Sequence, residues 1–274
     1  MRIILQSDEI EDFRKKIWEY YRINGRDMPW RHTCNPYHIL VSEIMLQQTQ
    51  VERVAGKYLL FLSAFPDFPS LSRAPLRAVL SLWQGLGYNR RAIALHHTAK
   101  EVTDQFNGVL PSSADALEKL PGIGKATASA IAAFAFNAPV AFIETNIRRV
   151  FIHCFLSDRD KVPDKDILPL VVQTLDHADP RRWYYALMDY GAMLKGSMRN
   201  PNKKSAHYRK QAAYQGSIRQ LRGLVLKEFL EGTIVTETAL SRKLSIPSET
   251  IRKICLQLRK EGFLKLHGKR FSIV

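Results

Sequence analysis

The sequence predicts a mainly α-helical protein that ends in a small winged-helix domain, and three observations carry this. Through roughly the first 200 residues apolar side chains recur at helical spacing, and no alternating strand pattern appears before about residue 262. Gly, Pro and Asn clusters punctuate that region at intervals that separate helices of ordinary length. After residue 216 the pattern changes to short helices followed by a hairpin signal.

Taken in order, the spacing predicts helices near 8–24, 37–49, 51–64, 75–82, 89–106, 114–120, 125–136, 144–155, 166–177, 181–194 and 202–213. Asn24-Gly25, Asn35-Pro36, Phe65-Pro66, Gly85-Leu86-Gly87, Asn107-Gly108, Pro121-Gly122 and Asp179-Pro180 break them. A helix from Ser217 to Leu230 comes next, then a β-prone stretch at Thr233–Thr236 and a brief helix over Thr238–Leu244. A turn at Ser245-Ile246-Pro247 leads to a longer helix ending near Glu261-Gly262. Phe263–Leu266 and Arg270–Val274 flank His267-Gly268-Lys269 as a hairpin. Helix, helix–turn–helix and hairpin is a winged-helix order, and its second helix carries Arg252, Lys253, Gln257 and Arg259, side chains suited to phosphates or base edges. A protein-binding wing or a structural cap is the alternative.

Composition narrows the function classes. Apolar residues make up 46% of the 274 and charged residues 24%, which fits a globular protein and not a disordered or coiled-coil one. No apolar run reaches the roughly 18 residues of a membrane helix. The opening Met1–Asp8 reaches an acidic residue too soon for a signal peptide. Cys34, Cys154 and Cys255 are odd in number and far apart, which gives neither a disulfide framework nor a metal-knuckle spacing. The expectation is a reducing, cytoplasmic location, nucleoid-associated if the source is prokaryotic, with no membrane partner and no metal site. Lys plus Arg is 41 against 26 Asp plus Glu, and residues 195–274 hold 18 against 5. A polyanion is the natural partner of such a tail, because each neutralised phosphate releases counterions. An idle basic surface is the alternative.

Three segments carry chemistry. Leu120-Pro121-Gly122-Ile123-Gly124-Lys125-Ala126-Thr127-Ala128 lies between two predicted helices. Two glycines one residue apart let the backbone turn tightly, and the amides that open the next helix can face a phosphate. This is a helix–hairpin–helix signature, with Gly122, Gly124, Lys125 and Thr127 as the DNA-backbone contacts; a plain αα turn uses the same glycines. In Ser42–Val51, Glu43 sits on an otherwise apolar helical stretch, where a desolvated carboxyl would keep its proton for general-acid work. A locally paired Glu fits the same pattern. In Phe142–Val150, Glu144 opens a helix with Asn146 two residues on. Loss of a base from a nucleotide passes through an oxocarbenium-like sugar, which calls for one group to protonate the base and an ionised carboxylate to stabilise the sugar. Glu43 and Glu144 are candidates for that pair, although a helix N-terminus favours an acid for its own sake.

These segments resemble the helix–hairpin–helix (HhH-GPD) DNA glycosylase superfamily, and within it the MutY-type adenine DNA glycosylases. The resemblance runs from about Arg26 to Met193 and rests on Met28-Pro29-Trp30, Ser42–Val51, Leu82–Tyr88, Leu120–Ala128 and Met188–Met193, in order. It implies a two-lobed helical fold, with residues 25–129 as a six-helix lobe carrying the hairpin, 1–24 with 130–215 as the second lobe, and 217–274 as the winged helix. It implies that Glu43 protonates the flipped purine and later activates water, and that Glu144 stabilises the sugar cation. Gln48 and Tyr88 become wedges in the duplex, while Trp30 and Asn146 line or order the pocket. Core packing is the alternative for the aromatic residues.

Three departures follow. The family's sugar-stabilising residue is an aspartate followed by glycine, and here it is Glu144-Thr145. The family's iron–sulfur cysteines after the Gly-Ala-Met segment are missing: Lys195 to Tyr214 contains none, so no 4Fe–4S cluster and no other cofactor is expected beyond a monovalent cation on the hairpin carbonyls. The family's domain that inspects 8-oxoguanine is replaced by the winged helix. The expected function is a monomeric, monofunctional glycosylase of base excision repair. It acts on double-stranded DNA with a mispaired or damaged base, in first place adenine opposite 8-oxoguanine or guanine. Removal of mismatched thymine or uracil, or of a modified base, is the second reading, and a non-catalytic DNA-binding regulator the third.

Overall fold

Helix follows helix from residue 7 onward in the computed structural model, which describes residues 3–197, 200–209, 213–232, 236–268 and 270–274. The helices are α1 (Ser7–Asn24), α2 (Pro36–Leu46), α3 (Val51–Ala64), α4 (Phe68–Arg73), α5 (Leu76–Trp83), α6 (Arg90–Phe106), α7 (Ala114–Leu117), α8 (Lys125–Phe136), α9 (Thr145–Phe155), α10 (Asp164–Thr174) and α11 (Pro180–Ser197). Then come α12 (Ile218–Glu231), α13 (Glu237–Leu244), α14 (Ser248–Lys260) and the strands β1 (Leu264–His267) and β2 (Arg270–Ile273). Single 3₁₀ turns occupy Pro29–Arg31 and Pro201–Lys204.

Backbone contacts divide the chain into two units. The first comprises residues 1–43, 111–119 and 123–210, the second 44–110, 120–122 and 211–274. In the first, the apolar stripe of α1 buries Phe13 and Ile17 against α11 and α10. The Phe13 ring packs on Phe155, Phe151 and Trp183 at centroid distances of 4.9, 5.5 and 6.0 Å. In the second, Val54, Tyr58 and Phe61 of α3, Leu71 of α4 and Trp83 of α5 are buried, and α4 packs on α6.

The winged-helix elements lie in the second unit. Helix α14 buries Ile251, Ile254, Cys255 and Leu258, the i, i+3, i+4, i+7 set that makes one face of a helix. β1 and β2 pair antiparallel with Leu264 opposite Ile273 and His267 opposite Arg270, so Leu264, Phe271 and Ile273 are buried with the helices. The hairpin turn at Lys269 and the β-prone stretch at 233–235 lie outside the described residues.

Four expectations are corrected. The helix expected over 37–49 stops at Leu46, because Arg91 takes the carbonyls of Ile44, Met45 and Gln47. The helix expected over 114–120 ends at Leu117, ahead of the Leu120-Pro121 turn. The segment after Phe65-Pro66 forms α4, for which Asp67 supplies the N-cap by accepting from Ser70 N at 2.8 Å. Of the helix expected over 202–213, the described residues up to 209 form only the 3₁₀ turn, since the backbone beyond it bonds elsewhere: Val162 N donates to Lys204 O (2.7 Å) and Ala206 N to Val162 O (2.8 Å).

Candidate active site

In the first unit, α2 presents Glu43 two residues past the fully buried Val41 and one before Ile44. Burial pushes its pKa up to about 8, and the neighbouring Glu144 charge adds to the rise. A carboxyl shifted this far keeps its proton near neutrality and is able to act as a general acid.

Glu144 is the N-cap of α9. Its Oε1 accepts from Asn146 N (2.6 Å) and Ile147 N (2.8 Å), and its Oε2 from Asn146 Nδ2 (3.3 Å). Burial raises its pKa, opposed by those two amides and by Arg149 and Arg148. The helix-terminus alternative is what the structure shows: the carboxylate caps α9, and its charge adds to the raised pKa of Glu43. The longer side chain curls back to reach the amides that an N-cap aspartate would reach directly.

Asn146 is tied in from three sides. Its Oδ1 accepts from Arg149 Nη1 (2.7 Å), a buried guanidinium that also bonds Gly191 O (2.5 Å) and Asn200 Oδ1 (3.1 Å). Gly191 on α11 lies against the Asn146 backbone, and a Cβ there would fall 2.4 Å from Asn146 O. Only glycine permits this approach.

Trp30 is buried in its 3₁₀ turn. Next to it, Arg31 is fixed by Asp189 (2.7 and 2.8 Å), which also takes Arg26 Nε (2.6 Å) and Arg26 N (2.8 Å). Burial alone would raise the Asp189 pKa, but Arg31 and Arg26 hold it below the ordinary value. The Arg31 guanidinium lies 4.5 Å from the centroid of the Tyr185 ring, which stacks on Phe134 at 4.7 Å and 8°. Tyr185 Oη is buried with no hydrogen-bond partner among the described residues. Burial, then the Glu43 charge, pushes the phenol pKa up. A pocket of about 450 Å³ opens beside these side chains, lined among others by Tyr21, Arg26, Arg31, Asn137, Arg181 and Tyr185. Sequence reasoning missed Arg31, Tyr185, Asp189 and Arg149. The signal available was charge on apolar helical stretches, in Ile147–Val150 and Met188–Gly191.

In the second unit, the two expected wedges occupy two left-handed turns. Gln48 (φ 55°) is exposed, and Tyr88 (φ 47°) follows the left-handed Gly85 and Gly87. Arg91, also missed, holds both turns. Its guanidinium donates to Ile44 O, Met45 O and Gln47 O (2.9, 2.8 and 2.6 Å) on one side, and to Gly87 O (2.9 Å) and Leu86 O (3.3 Å) on the other, with Thr49 Oγ1 at 2.9 Å between. Buried carbonyls here replace water as the solvent of a cation, and burial lowers the Arg91 pKa to about 10.

Along the hairpin, Gly122 has φ +74°, and a Cβ there would meet Ala94 Cβ at 2.5 Å, so the turn demands glycine twice over. Gly124 is the N-cap of α8, and Gly122, Gly124 and Lys125 are exposed with Thr127 half-buried. Arg252, Lys253, Gln257 and Arg259 are all exposed on α14, with Lys253 paired to Glu249 (2.7 Å). Residues 195–214, which follow the Gly191-Ala192-Met193 segment, contain no cysteine. There, Asn202 Nδ2 donates to Thr145 O (2.9 Å), pinning the 3₁₀ turn to the start of α9.

Residues 41–168 match the model of the HhH-GPD superfamily of base excision DNA repair proteins. Curated relatives include the adenine DNA glycosylase of Mycolicibacterium smegmatis, 33% identical over 80% of this chain and 80% of that protein. They also include those of Buchnera aphidicola subsp. Baizongia pistaciae, 40% identical over 64% of this chain and 50% of that protein, and of Homo sapiens, 33% identical over 68% and 36%. The chain thus spans half or less of the length of several curated relatives it matches. Among solved structures, a thermostable thymine-DNA glycosylase is similar at a TM-score of 0.63 and 26% identity, covering 72% of this chain and 92% of that one. An endonuclease III–DNA covalent intermediate shares the fold at a TM-score of 0.58 and 18% identity, over 69% and 88%.

Proposed function

Since the chain belongs to the HhH-GPD superfamily of base excision DNA repair proteins, we propose that it is a DNA glycosylase that flips a mispaired adenine from duplex DNA and hydrolyses its glycosidic bond. The observation that carries this reading is the half-buried carboxyl pair: Glu43 with its pKa raised to about 8 beside Glu144 held by two helix amides. Glu43 donates its proton to a ring nitrogen of the extruded base. The C1′–N bond then breaks with its electron pair leaving on the base. Glu144 carries the negative charge that faces the sugar cation. Glu43, now ionised, takes a proton from the water that adds to C1′, which restores the acid and leaves an abasic site.

Gln48 and Tyr88 occupy the gap in the stack, and Trp30 and Asn146 order the pocket. Gly122, Gly124, Lys125 and Thr127 hold the phosphate backbone without reading sequence. The exposed Arg252, Lys253, Gln257 and Arg259 of α14 extend that contact. The reading includes no iron–sulfur cluster and no strand cleavage. Ala126 stands one residue behind Lys125, and an alanine has no amine to form a Schiff base with the sugar.

A second reading, mismatched thymine or uracil as the base, is favoured by the Glu144-Thr145 departure and by likeness to a thymine-DNA glycosylase. A panel of duplexes, each with one suspect pair, separates the two. Release of adenine opposite 8-oxoguanine or guanine, leaving an intact strand that breaks only in hot alkali, is the expected result. Release of thymine or uracil alone would replace the first reading by the second, and no release from any duplex would overturn both. Borohydride trapping of a protein–DNA adduct would overturn the monofunctional assignment.

A further inference from the structure

The second unit contains a contact that the glycosylase reading does not use. Helix α12, the first of the winged helix, is held to the helical part of the same unit by an arginine at each end. At its C-terminal end Arg77 of α5 donates to the carbonyls of Phe229 (3.0 Å) and Leu230 (2.7 Å) and to Gly232 O (2.9 Å). At its N-terminal end Arg219 Nη1 donates to Tyr88 Oη at 2.9 Å. Tyr88 is the exposed aromatic of the left-handed turn whose backbone Arg91 holds from beneath, with the Arg91 guanidinium 5.5 Å from the centroid of the ring.

We propose that Arg219 is a positioning residue for Tyr88, so that the winged helix is part of the base-flipping device and not only an added DNA grip. This rests on the reading of Tyr88 as a wedge. A side chain that must enter a base stack gains from being ordered beforehand, because ordering it at the moment of insertion would weaken the inserted state. Arg91 fixes the turn and lies over the ring, and a charged hydrogen bond to the far end of the ring restricts its rotation further. Arg77 gives the bond its leverage: with its three carbonyl contacts α12 cannot drift from α5, so Arg219 is presented to Tyr88 from a fixed helix end.

The test is a double-mutant cycle in the full chain with Arg219→Gln, Tyr88→Phe and both together, on a duplex carrying adenine opposite 8-oxoguanine. At saturating protein each single variant is expected to slow excision about fivefold with duplex affinity nearly unchanged, and the double variant to be no slower than either. Equal slowing by Arg219→Gln in the Tyr88→Phe background, or a loss confined to affinity that scales with salt, would mean that Arg219 only attracts phosphate, and would overturn the proposal. A second readout needs no activity: the fluorine resonance of 3-fluorotyrosine at residue 88, identified by its loss in Tyr88→Phe, should shift in the free protein on Arg219→Gln. An unmoved resonance would also overturn the brace, whereas absence of excision by the wild type would sink the glycosylase reading and leave this measurement standing.

Discussion

Glu43 is expected to set the pH response of the enzyme. With its pKa at about 8 it is an acid through neutrality, so kcat/KM should fall as pH rises past that value. The same shift enters stability. Between pH 4.5 and about 8 the folded protein keeps a proton that the unfolded chain has released, so stability is lost as pH rises through that window. Glu43→Gln should therefore melt above wild type at pH 8, and the difference should vanish near pH 4.5. A variant that melts lower at pH 8 would contradict the buried-acid assignment. Glu144 gives a second test. Aspartate is the better N-cap and the shorter reach to Asn146 N and Ile147 N, so Glu144→Asp should keep or raise both stability and adenine excision. Misplacement of the charge by about 1 Å would instead appear as a loss of around a hundredfold. Glu43, Glu144, Gln48 and Tyr88 could be singled out as candidates from the sequence because each sits inside a short segment whose neighbours mark it. Tyr185 and Asp189 were not, since their partners Phe134, Arg26 and Arg31 lie about 50 to 160 residues away, and no local pattern encodes such a meeting.

At the scale of elements, the left-handed turns at Gln48 and Tyr88 shape the second unit, and the α9–α11 crossing holds Asn146 beside Glu144 in the first. Arg91 links the turns after α2 and α5 through seven acceptors, and an ammonium with three N–H groups cannot replace it. Arg91→Lys should destabilise the chain by about 2–4 kcal/mol, read by denaturant unfolding, and slow excision in parallel. Retention of both within error would mean that the turns hold without it. The same residue explains why the helix expected over 37–49 ends early. Apolar spacing continues through the segment, but a cation from α6 claims the carbonyls that a longer helix would use. Most helices were legible from breakers and spacing. The one expected over 202–213 is absent from its described residues up to 209, because parallel bridging between Val162 and Ser205 outcompetes a polar segment's weak helical preference.

For the whole molecule, the uneven charge has a measurable consequence. The exposed Arg252 and Arg259 belong to the basic C-terminal part, where residues 195–274 hold 18 Lys or Arg against 5 Asp or Glu. Arg252→Gln with Arg259→Gln should weaken binding to any duplex and reduce the salt slope of log affinity by about 1.8. An unchanged slope would place the winged helix against a protein. The winged-helix order itself was readable, since α14 shows its apolar face at i, i+3, i+4 and i+7 and Gly268 marks the hairpin. The attachment through Arg77 was not, as nothing in the sequence of α5 distinguishes it from other surface arginines. The central claim is that a protonated Glu43 releases adenine from DNA. It is tested most directly by single-turnover excision from a duplex with adenine opposite 8-oxoguanine, comparing wild type with Glu43→Gln at protein concentrations that saturate both. Loss of base release by at least about 10³-fold with duplex affinity within a few-fold of wild type is the expected result. Excision by the variant within a few-fold of wild type would contradict it.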